Sequence, residues 1–409
     1  SRIGIASLRH SAHHRMNKTP PDHRVPLTPE QCKLLKNTYK ELDITVQSSS
    51  VRAFKDEEYR DHGIEVKDDV SHCDVLMGVK EVPLDMLIPG KTYLFFSHTY
   101  KKQSYNRKLL QTILDKKIRL IDYEMLKEPG GKRLLGFGRY AGIVGTYNAF
   151  RAWGAMTSDY NLKAAHDCAD RREMERELIK VVLPPSTKVL ITGGGRVAGG
   201  AMEVLSALRF THVFPKEYIN QEFREPVFTQ LDVLQYFERE DGREFTRHEF
   251  YKNPEGFRSR FMRYAHYTDI YIPCHFWSNR SPYIFTREDA RSPEFRIKLV
   301  SDISCDIDGP VASTLRPSTI EDPFYGYDPQ AEKEVPFGSL GAIGVSAVDN
   351  LPCELPKDAS EDFGNELIKN VIPHFFNGDK EGILEAASET DRQGKLTPKF
   401  SYLEDYVKG

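Results

Sequence analysis

The sequence predicts an α/β chain of two Rossmann-like, doubly wound parallel-sheet domains with an active-site cleft between them. Three observations predict it. Residues Lys188–Leu208, KVLITGGGRVAGGAMEVLSAL, set an apolar strand run, a glycine turn and an amphipathic helix in that order, as a dinucleotide-binding βα unit requires. Upstream, short apolar runs alternate with helical segments, the pattern of parallel strands joined by crossover helices. Downstream of the last predicted strand, the helical material suffices only to complete the first domain. That domain is therefore expected to be discontinuous, residues 1–150 with 350–409, and the dinucleotide domain, residues 151–349, to be inserted in it.

Taken in order, Arg2–Ala6 reads as a short strand, Thr28–Tyr39 as a helix and Ile44–Gln47 as a strand. Val75–Val79 and Tyr93–Phe96 are apolar runs bounded by turn residues, and the helical stretch Gln103–Lys116 leads into a strand at Arg119–Asp122. Ala141–Trp153 is predicted as a long helix bridging out of the first domain. The charged helical run Asn161–Val181 then opens the second, passing through Pro184-Pro185 into the glycine-motif strand. Further strands are expected at His212–Phe214, Thr268–Ile272, Ile297–Ser301 and Ala342–Val348. Asn220–Arg263 is rich in charge and aromatics without a clean period and reads as an irregular insertion. A turn at Asp349–Pro352, a helix at Ser360–Val371 and a polar tail follow, and no internal repeat appears.

The chain of 409 residues is long enough for two cores. Its formal charge of -3 and pI near 6.5 give no basic excess, so neither a nucleic acid nor an anionic membrane is an expected partner. No run approaches the roughly 18 apolar residues of a membrane span, and the stretch SRIGIASLRH lacks a signal-peptide core. The expectation is a soluble, cytoplasmic protein. The six cysteines, Cys32, Cys73, Cys168, Cys274, Cys305 and Cys353, lack metal or disulfide spacing and read as reduced thiols.

Open α/β sheets bind ligands at the carboxyl ends of their strands. In the first domain Lys80 ends the run VLMGVK and His98 follows YLFFSH, which puts a titratable nitrogen at each of two strand ends. Such a pair suits general acid/base work. Glu81 and Glu124 are candidates to pair with Lys80 and set its charge. Arg24, just before a helix, and Arg133 and Arg139, around the turn GGKRLLGFGRY, are candidates to clamp a carboxylate through two parallel hydrogen bonds.

In the second domain the glycines have separate reasons. Gly193 allows the tight turn, Gly195 lets backbone N–H groups approach a pyrophosphate, and Ala198 lets helix and strand touch, with Gly199 and Gly200 adding close packing. Arg196 and Val197 open the helix whose positive end would face the phosphates. Asp302, Asp306 and Asp308 follow an apolar strand, where a carboxylate can orient a substrate ammonium; the pattern lacks the features of a calcium or phosphate loop, so no metal is expected. His275, after YIPC, and Asp349, Asn350 and Leu351 stand at further strand ends as cofactor contacts. At the presumed second strand Lys216 stands where an acid would hold the ribose, and it leans the NAD(P)(H) choice toward NADP(H), with Glu217 keeping the other option open.

Several blocks together resemble a known family. HRVPLTP at 23–29, GVKEVP at 78–83, FFSHTYKKQ at 95–103, RLIDYE at 119–124, FGRYAGIVG at 137–145, DISCD at 302–306, TIEDPFYGYDP at 319–329 and DNLPCELP at 349–356 are similar to the lysine-forming saccharopine dehydrogenases and to the lysine-ketoglutarate reductase half of the bifunctional lysine-degrading enzyme, within the alanine dehydrogenase superfamily. The resemblance implies reductive condensation of lysine with 2-oxoglutarate to saccharopine, or the reverse, with a nicotinamide as hydride carrier. It implies Lys80 and His98 as the acid/base pair, Glu124 as the carboxylate modulating the lysine, and Arg24 and Arg133 as substrate-carboxylate ligands. Asn17 stands where members of that family usually carry an acid. An alanine-dehydrogenase-like enzyme using another amine or 2-oxo acid is the alternative.

Overall fold

The computed structural model describes residues 2–5 and 21–409, so Ala6, which ends the first predicted strand, and Asn17 lie outside the described residues. The chain divides into two compact units. One runs to Phe137 and resumes at Pro356–Gly409; the other is Gly138–Leu355.

The first unit is built on six strands, β1 (Arg2–Ile5), β2 (Asp43–Gln47), β3 (Glu65–Lys67), β4 (Val75–Lys80), β5 (Thr92–Phe96) and β6 (Arg119–Asp122). All pair in parallel, in the order β3-β2-β1-β4-β5-β6. The apolar runs are continuous because both faces of the sheet are covered. Met77, Leu94 and Ile121 pack on one face with Leu35, Phe363 and Leu367. Their neighbours Leu76, Tyr93, Phe95 and Leu120 pack on the other with Leu109 and Ile113. The first face carries the helices Pro29–Thr38 and Pro356–Asn370, the second the helix Arg107–Asp115. Thr28 caps the first helix by accepting from the Gln31 N–H, while the Gln31 side chain accepts from the Thr28 N–H at 2.9 Å.

The segment read as a polar tail is a structural element. Phe400, Leu403 and Tyr406 bury against Leu110. Ser388 bridges Ile121 in antiparallel fashion, the Glu389 N–H donates to the Leu120 carbonyl at 2.9 Å, and the Thr390 hydroxyl donates to the Ile118 carbonyl at 2.6 Å. These bonds close the free edge of β6, which would otherwise present unpaired backbone groups. Composition concealed this because the anchoring groups are hydroxyls and main chain.

The second unit contains β7 (Lys188–Thr192), β8 (Thr211–His212), β9 (Val227–Leu231), β10 (Phe237–Arg239), β11 (Phe257–Ser259), β12 (Ile270–Pro273), β13 (Leu299–Ser301), β14 (Phe324–Asp328), β15 (Lys333–Val335) and β16 (Ile343–Ser346). Eight of them form a sheet ordered β15-β14-β16-β13-β12-β7-β9-β8, and β10 and β11 form a separate antiparallel pair. The six strands from β16 to β8 are parallel; β14 and β15 add an antiparallel edge that the sequence pattern did not predict.

The insertion Asn220–Arg263 is not irregular. It supplies β9, which pairs with β7 along its whole length, and a cluster in which Tyr236, Phe237, Phe250, Phe257 and Phe261 are buried. Periodicity missed β9 because Thr229 interrupts the apolar run; its hydroxyl donates to the Val213 carbonyl at 2.8 Å, so the residue is buried without loss. The strand expected at His212–Phe214 is only the two-residue edge strand β8. The run Asn161–Val181 is likewise broken, its α-helix confined to Arg171–Glu177.

The helix expected at Ala141–Trp153 spans Gly138–Thr157 and belongs to the second unit. It crosses the helix Arg196–Ala207 at backbone contact: a Cβ on Gly142 would sit 2.0 Å from the Val197 carbonyl oxygen, and one on Gly200 1.9 Å from that of Arg139. Among the described residues no helix is long and apolar enough to cross a membrane, and no group of three or more His, Cys, Asp or Glu is placed to hold a metal ion.

Candidate active site

In the first unit β1 lies beside β4 although β2 follows it in sequence, so the sheet order reverses between them. A crevice forms at such a switch point, outside the carboxyl ends of the strands. Lys80 is the last residue of β4. A pocket there is lined by Asp22, Arg24, Ser49, Arg52, Gly78 and Lys80.

Asp22 and Arg24 reach it from the segment that precedes the capped helix. That segment is pinned by a bond from the Val25 N–H to the Ser360 hydroxyl at 2.9 Å and by the Tyr59 hydroxyl, which donates to the Leu27 carbonyl at 2.8 Å. Arg24 donates to both oxygens of Asp22, Nε at 3.0 Å and Nη2 at 2.7 Å, and its guanidinium lies 4.3 Å over the Phe137 ring. The Lys80 ammonium is 3.9 Å from the same carboxylate. Burial alone would raise the Asp22 carboxyl, but Arg24 and Lys80 hold it below its usual range. Arg24 holds Asp22 with its fork, and the carboxylate beside Lys80 is Asp22, while Glu81 is exposed and Glu124 lies against His98.

Glu124 instead serves His98. β5 adjoins β4 with Phe96 in register with Lys80, so His98, two residues on, stands beyond the neighbouring strand end. Its Nδ1 lies 2.9 Å from Glu124 Oε1, an ion-pair contact made off the hydrogen-bond axis. The other oxygen, Oε2, accepts from the Tyr100 hydroxyl and lies 3.4 Å from Arg133 Nη2. Burial would raise Glu124; His98, Tyr100 and Lys101 together pull its carboxyl down to about 2. It is therefore a fixed anion at neutral pH.

His98 takes a left-handed backbone, φ 58°, which a side chain adopts only when its surroundings impose it. Asp122 imposes it. Its Oδ2 accepts from the Ser97 N–H at 3.0 Å, the Ser97 hydroxyl at 2.6 Å and the His98 N–H at 3.1 Å, and its Oδ1 from the Glu124 N–H at 2.9 Å. One buried carboxylate thus ties the ends of β5 and β6.

In the second unit Gly193 has φ 113°, and a Cβ there would sit 2.2 Å from the Cys274 carbonyl oxygen, so the turn after β7 admits only glycine. Gly195 precedes the helix Arg196–Ala207, with Arg196, Val197 and the buried Ala198 in its first turn and no side chain capping it. A dinucleotide pyrophosphate fits such an end. His275 follows β12: its Nδ1 bonds the Thr192 hydroxyl at 2.8 Å, its Nε2 is buried without a partner among the described residues, and burial lowers it to about 3, so the imidazole is neutral.

Asp302, after β13, accepts from the Thr314 hydroxyl at 2.6 Å and the Cys305 N–H at 2.9 Å, and burial raises it to about 6, as it does Asp306. The bonds of Asp302 brace its own loop. Asp349, Asn350 and Leu351 follow β16. Arg139 is bound through Nε and Nη2 to Glu203, both at 2.8 Å, which makes it a brace between two helices of this unit.

The correction of β9 moves the ribose position. The strand beside β7 is β9, and the residue after it is Asp232; Lys216 follows the edge strand β8, one strand farther out. Asp232 caps its own short helix, accepting from the Leu234 N–H at 2.8 Å, and pairs with Arg247. The local signal for it was the acid closing VFTQLD, hidden once the segment was read as irregular.

Residues 15–144 match the alanine dehydrogenase/PNT N-terminal domain. The mitochondrial alpha-aminoadipic semialdehyde synthase of Mus musculus is 31% identical over 94% of this chain and 46% of its own length. The saccharopine dehydrogenase [NAD(+), L-lysine-forming] of Schizosaccharomyces pombe is 24% identical over 88% of this chain and 91% of its own. Among solved structures, an L-alanine dehydrogenase superposes with a TM-score of 0.66 at 15% identity, covering 100% of both chains. The chain spans about half the length of the synthases it matches.

Proposed function

We propose that this chain, whose residues 15–144 match the alanine dehydrogenase/PNT N-terminal domain, is a nicotinamide-dependent oxidoreductase of saccharopine dehydrogenase type. The reaction is the reductive condensation of the lysine ε-amine with 2-oxoglutarate, or its reverse. The observation that carries the reading is the pair of strand-end nitrogens, each with its own carboxylate: Lys80 with Asp22 and His98 with Glu124.

Attack of an amine on a 2-oxo carbonyl gives a hemiaminal, and loss of water from it requires a proton delivered to oxygen and one removed from nitrogen. Lys80 and His98 are the donor and acceptor. The Asp22 carboxylate faces the ammonium, and the Glu124 carboxylate faces the imidazole. Arg133, whose side chain is 59% exposed, is the cation we assign to a substrate carboxylate. The nicotinamide, when bound, supplies the hydride. Gly193, Gly195 and the helix start at Arg196 would hold its pyrophosphate.

The coenzyme is NAD(H). A carboxylate at Asp232 accepts from ribose hydroxyls and repels a 2′-phosphate, which reverses the lean drawn from Lys216. The test is to incubate the chain with lysine, 2-oxoglutarate and NADH or NADPH and to follow loss of reduced-nicotinamide absorbance. Turnover with pyruvate and ammonia in place of lysine and 2-oxoglutarate would put an alanine-dehydrogenase-like activity in its stead.

A further inference from the structure

Behind the His98 turn runs a chain of four side chains. The Ser97 hydroxyl bonds Asp122 Oδ2 at 2.6 Å, Ser97 Oγ and Thr99 Oγ1 are 2.8 Å apart, and Thr99 Oγ1 bonds Glu389 Oε2. All four residues are buried, Glu389 completely. Three oxygen-to-oxygen contacts need three protons, and the two hydroxyls bring two. One of the two carboxyls must bring the third, because an unprotonated contact between two oxygens at hydrogen-bond distance is repulsive.

Asp122 cannot be that donor without losing bonds. Burial raises its carboxyl, but it accepts three backbone N–H groups and one hydroxyl, all of which favour the ionised form. Glu389 has the opposite setting. Its Oε1 is buried and makes no hydrogen bond among the described residues, which would leave half of an anion unsolvated. With Ser97 donating to Asp122, Thr99 donates to Ser97 and Glu389 to Thr99.

We propose that Glu389 is a protonated carboxylic acid and the positioning residue for His98, fixing the left-handed turn through Thr99, Ser97 and Asp122. The proposal rests on the acid/base reading of His98. Burial and the charge of Asp122 together raise Glu389 to about 8, in the same direction as the proton count. The titratable groups facing it are Asp122 from the end of β6, and Tyr402 and Tyr406 from the segment that follows it.

The experiment compares wild type with Glu389→Gln, Glu389→Ala and Thr99→Val. Infrared difference spectra at neutral pH should show a protonated-carboxyl band in wild type that Glu389→Gln removes. Glu389→Gln keeps a donor toward Thr99, so the His98 ring resonances, assigned with His98→Gln, stay in place and kcat is retained. Glu389→Ala and Thr99→Val should move those resonances and lower kcat by about tenfold to a hundredfold with KM little changed. Wild-type kcat should also fall as pH rises through about 8, where Glu389 loses its proton, and Glu389→Gln should not share that limb. Absence of the band, unchanged His98 resonances in Thr99→Val, or equal loss in the Gln and Ala variants overturns the proposal. If wild type turns over no amine with any 2-oxo acid, the functional reading fails, while the band and the resonances still decide the hydrogen-bond chain.

Discussion

Glu124 stands 2.9 Å from His98 Nδ1 through one oxygen and is held by Tyr100 through the other, so the anion beside the imidazole cannot swing away. Its carboxyl is depressed to about 2 from an ordinary 4.5. A depressed acid contributes stability that is present above its unfolded value and lost as pH falls through the folded one. The wild-type chain should therefore lose on the order of 2 kcal/mol between pH 4.5 and about 2 that Glu124→Gln does not lose. Urea unfolding of both proteins across that window checks it.

Replacing Lys80 by Met removes the titrating ammonium and leaves a stem of similar shape. Turnover should fall by about 10²- to 10⁴-fold with little change in thermal stability, since the side chain is 31% exposed. Steady-state kinetics and a melting curve on one preparation separate the two effects.

Asp22→Asn should act on stability as well as rate. It removes the carboxylate charge from beside a guanidinium whose side chain is 8% exposed, and breaking a buried ion pair costs about 3–5 kcal/mol. Chemical denaturation reads the cost directly. A change below about 1 kcal/mol, the range of exposed pairs, would show that the bidentate bond is not maintained in solution.

Gly193→Ala must place a methyl 2.2 Å from the Cys274 carbonyl oxygen at φ 113°. The turn after β7 has to move, and NADH binding, followed by quenching of intrinsic fluorescence, should weaken by at least about tenfold, roughly 1.4 kcal/mol. Gly199, with open space around it, is the control: Gly199→Ala should leave binding unchanged.

Asp232→Gly should raise the preference for NADPH over NADH by about tenfold or more in kcat/KM. Lys216→Ala should leave that ratio alone, because β8 is not adjacent to β7.

The sequence revealed whatever depended on a short local pattern. The β7 strand, Gly193 and the following helix are contiguous, and Lys80 and His98 stand at the ends of apolar runs whose two buried faces make them unbroken. Pairings made by the fold left no such trace. Nothing near Asp22 announces that its segment returns to the end of β4, and nothing near Glu389 announces Thr99, 290 residues earlier. β9 was hidden by Thr229 and Gln230, polar residues satisfied by main-chain carbonyls, at Val213 and Gly193. Losing β9 displaced the ribose position from Asp232 to Lys216. Arg139 had the composition and turn context of an anion clamp, and only its partner Glu203 distinguishes a brace from a ligand.

The edge of β6 is closed by residues 388–390, and one face of its sheet is covered by the helix Pro356–Asn370. Both arrive after the entire second unit has left the ribosome. During synthesis the inserted unit is complete while the flanking one still waits with an uncovered hydrophobic face, so the order of maturation is the reverse of the order of emergence. Contacts of such long sequence separation also close slowly. The lobe that carries Lys80 and His98 is thus the last to become rigid, and a nascent chain holds the finished inserted unit well before those two side chains are fixed in place.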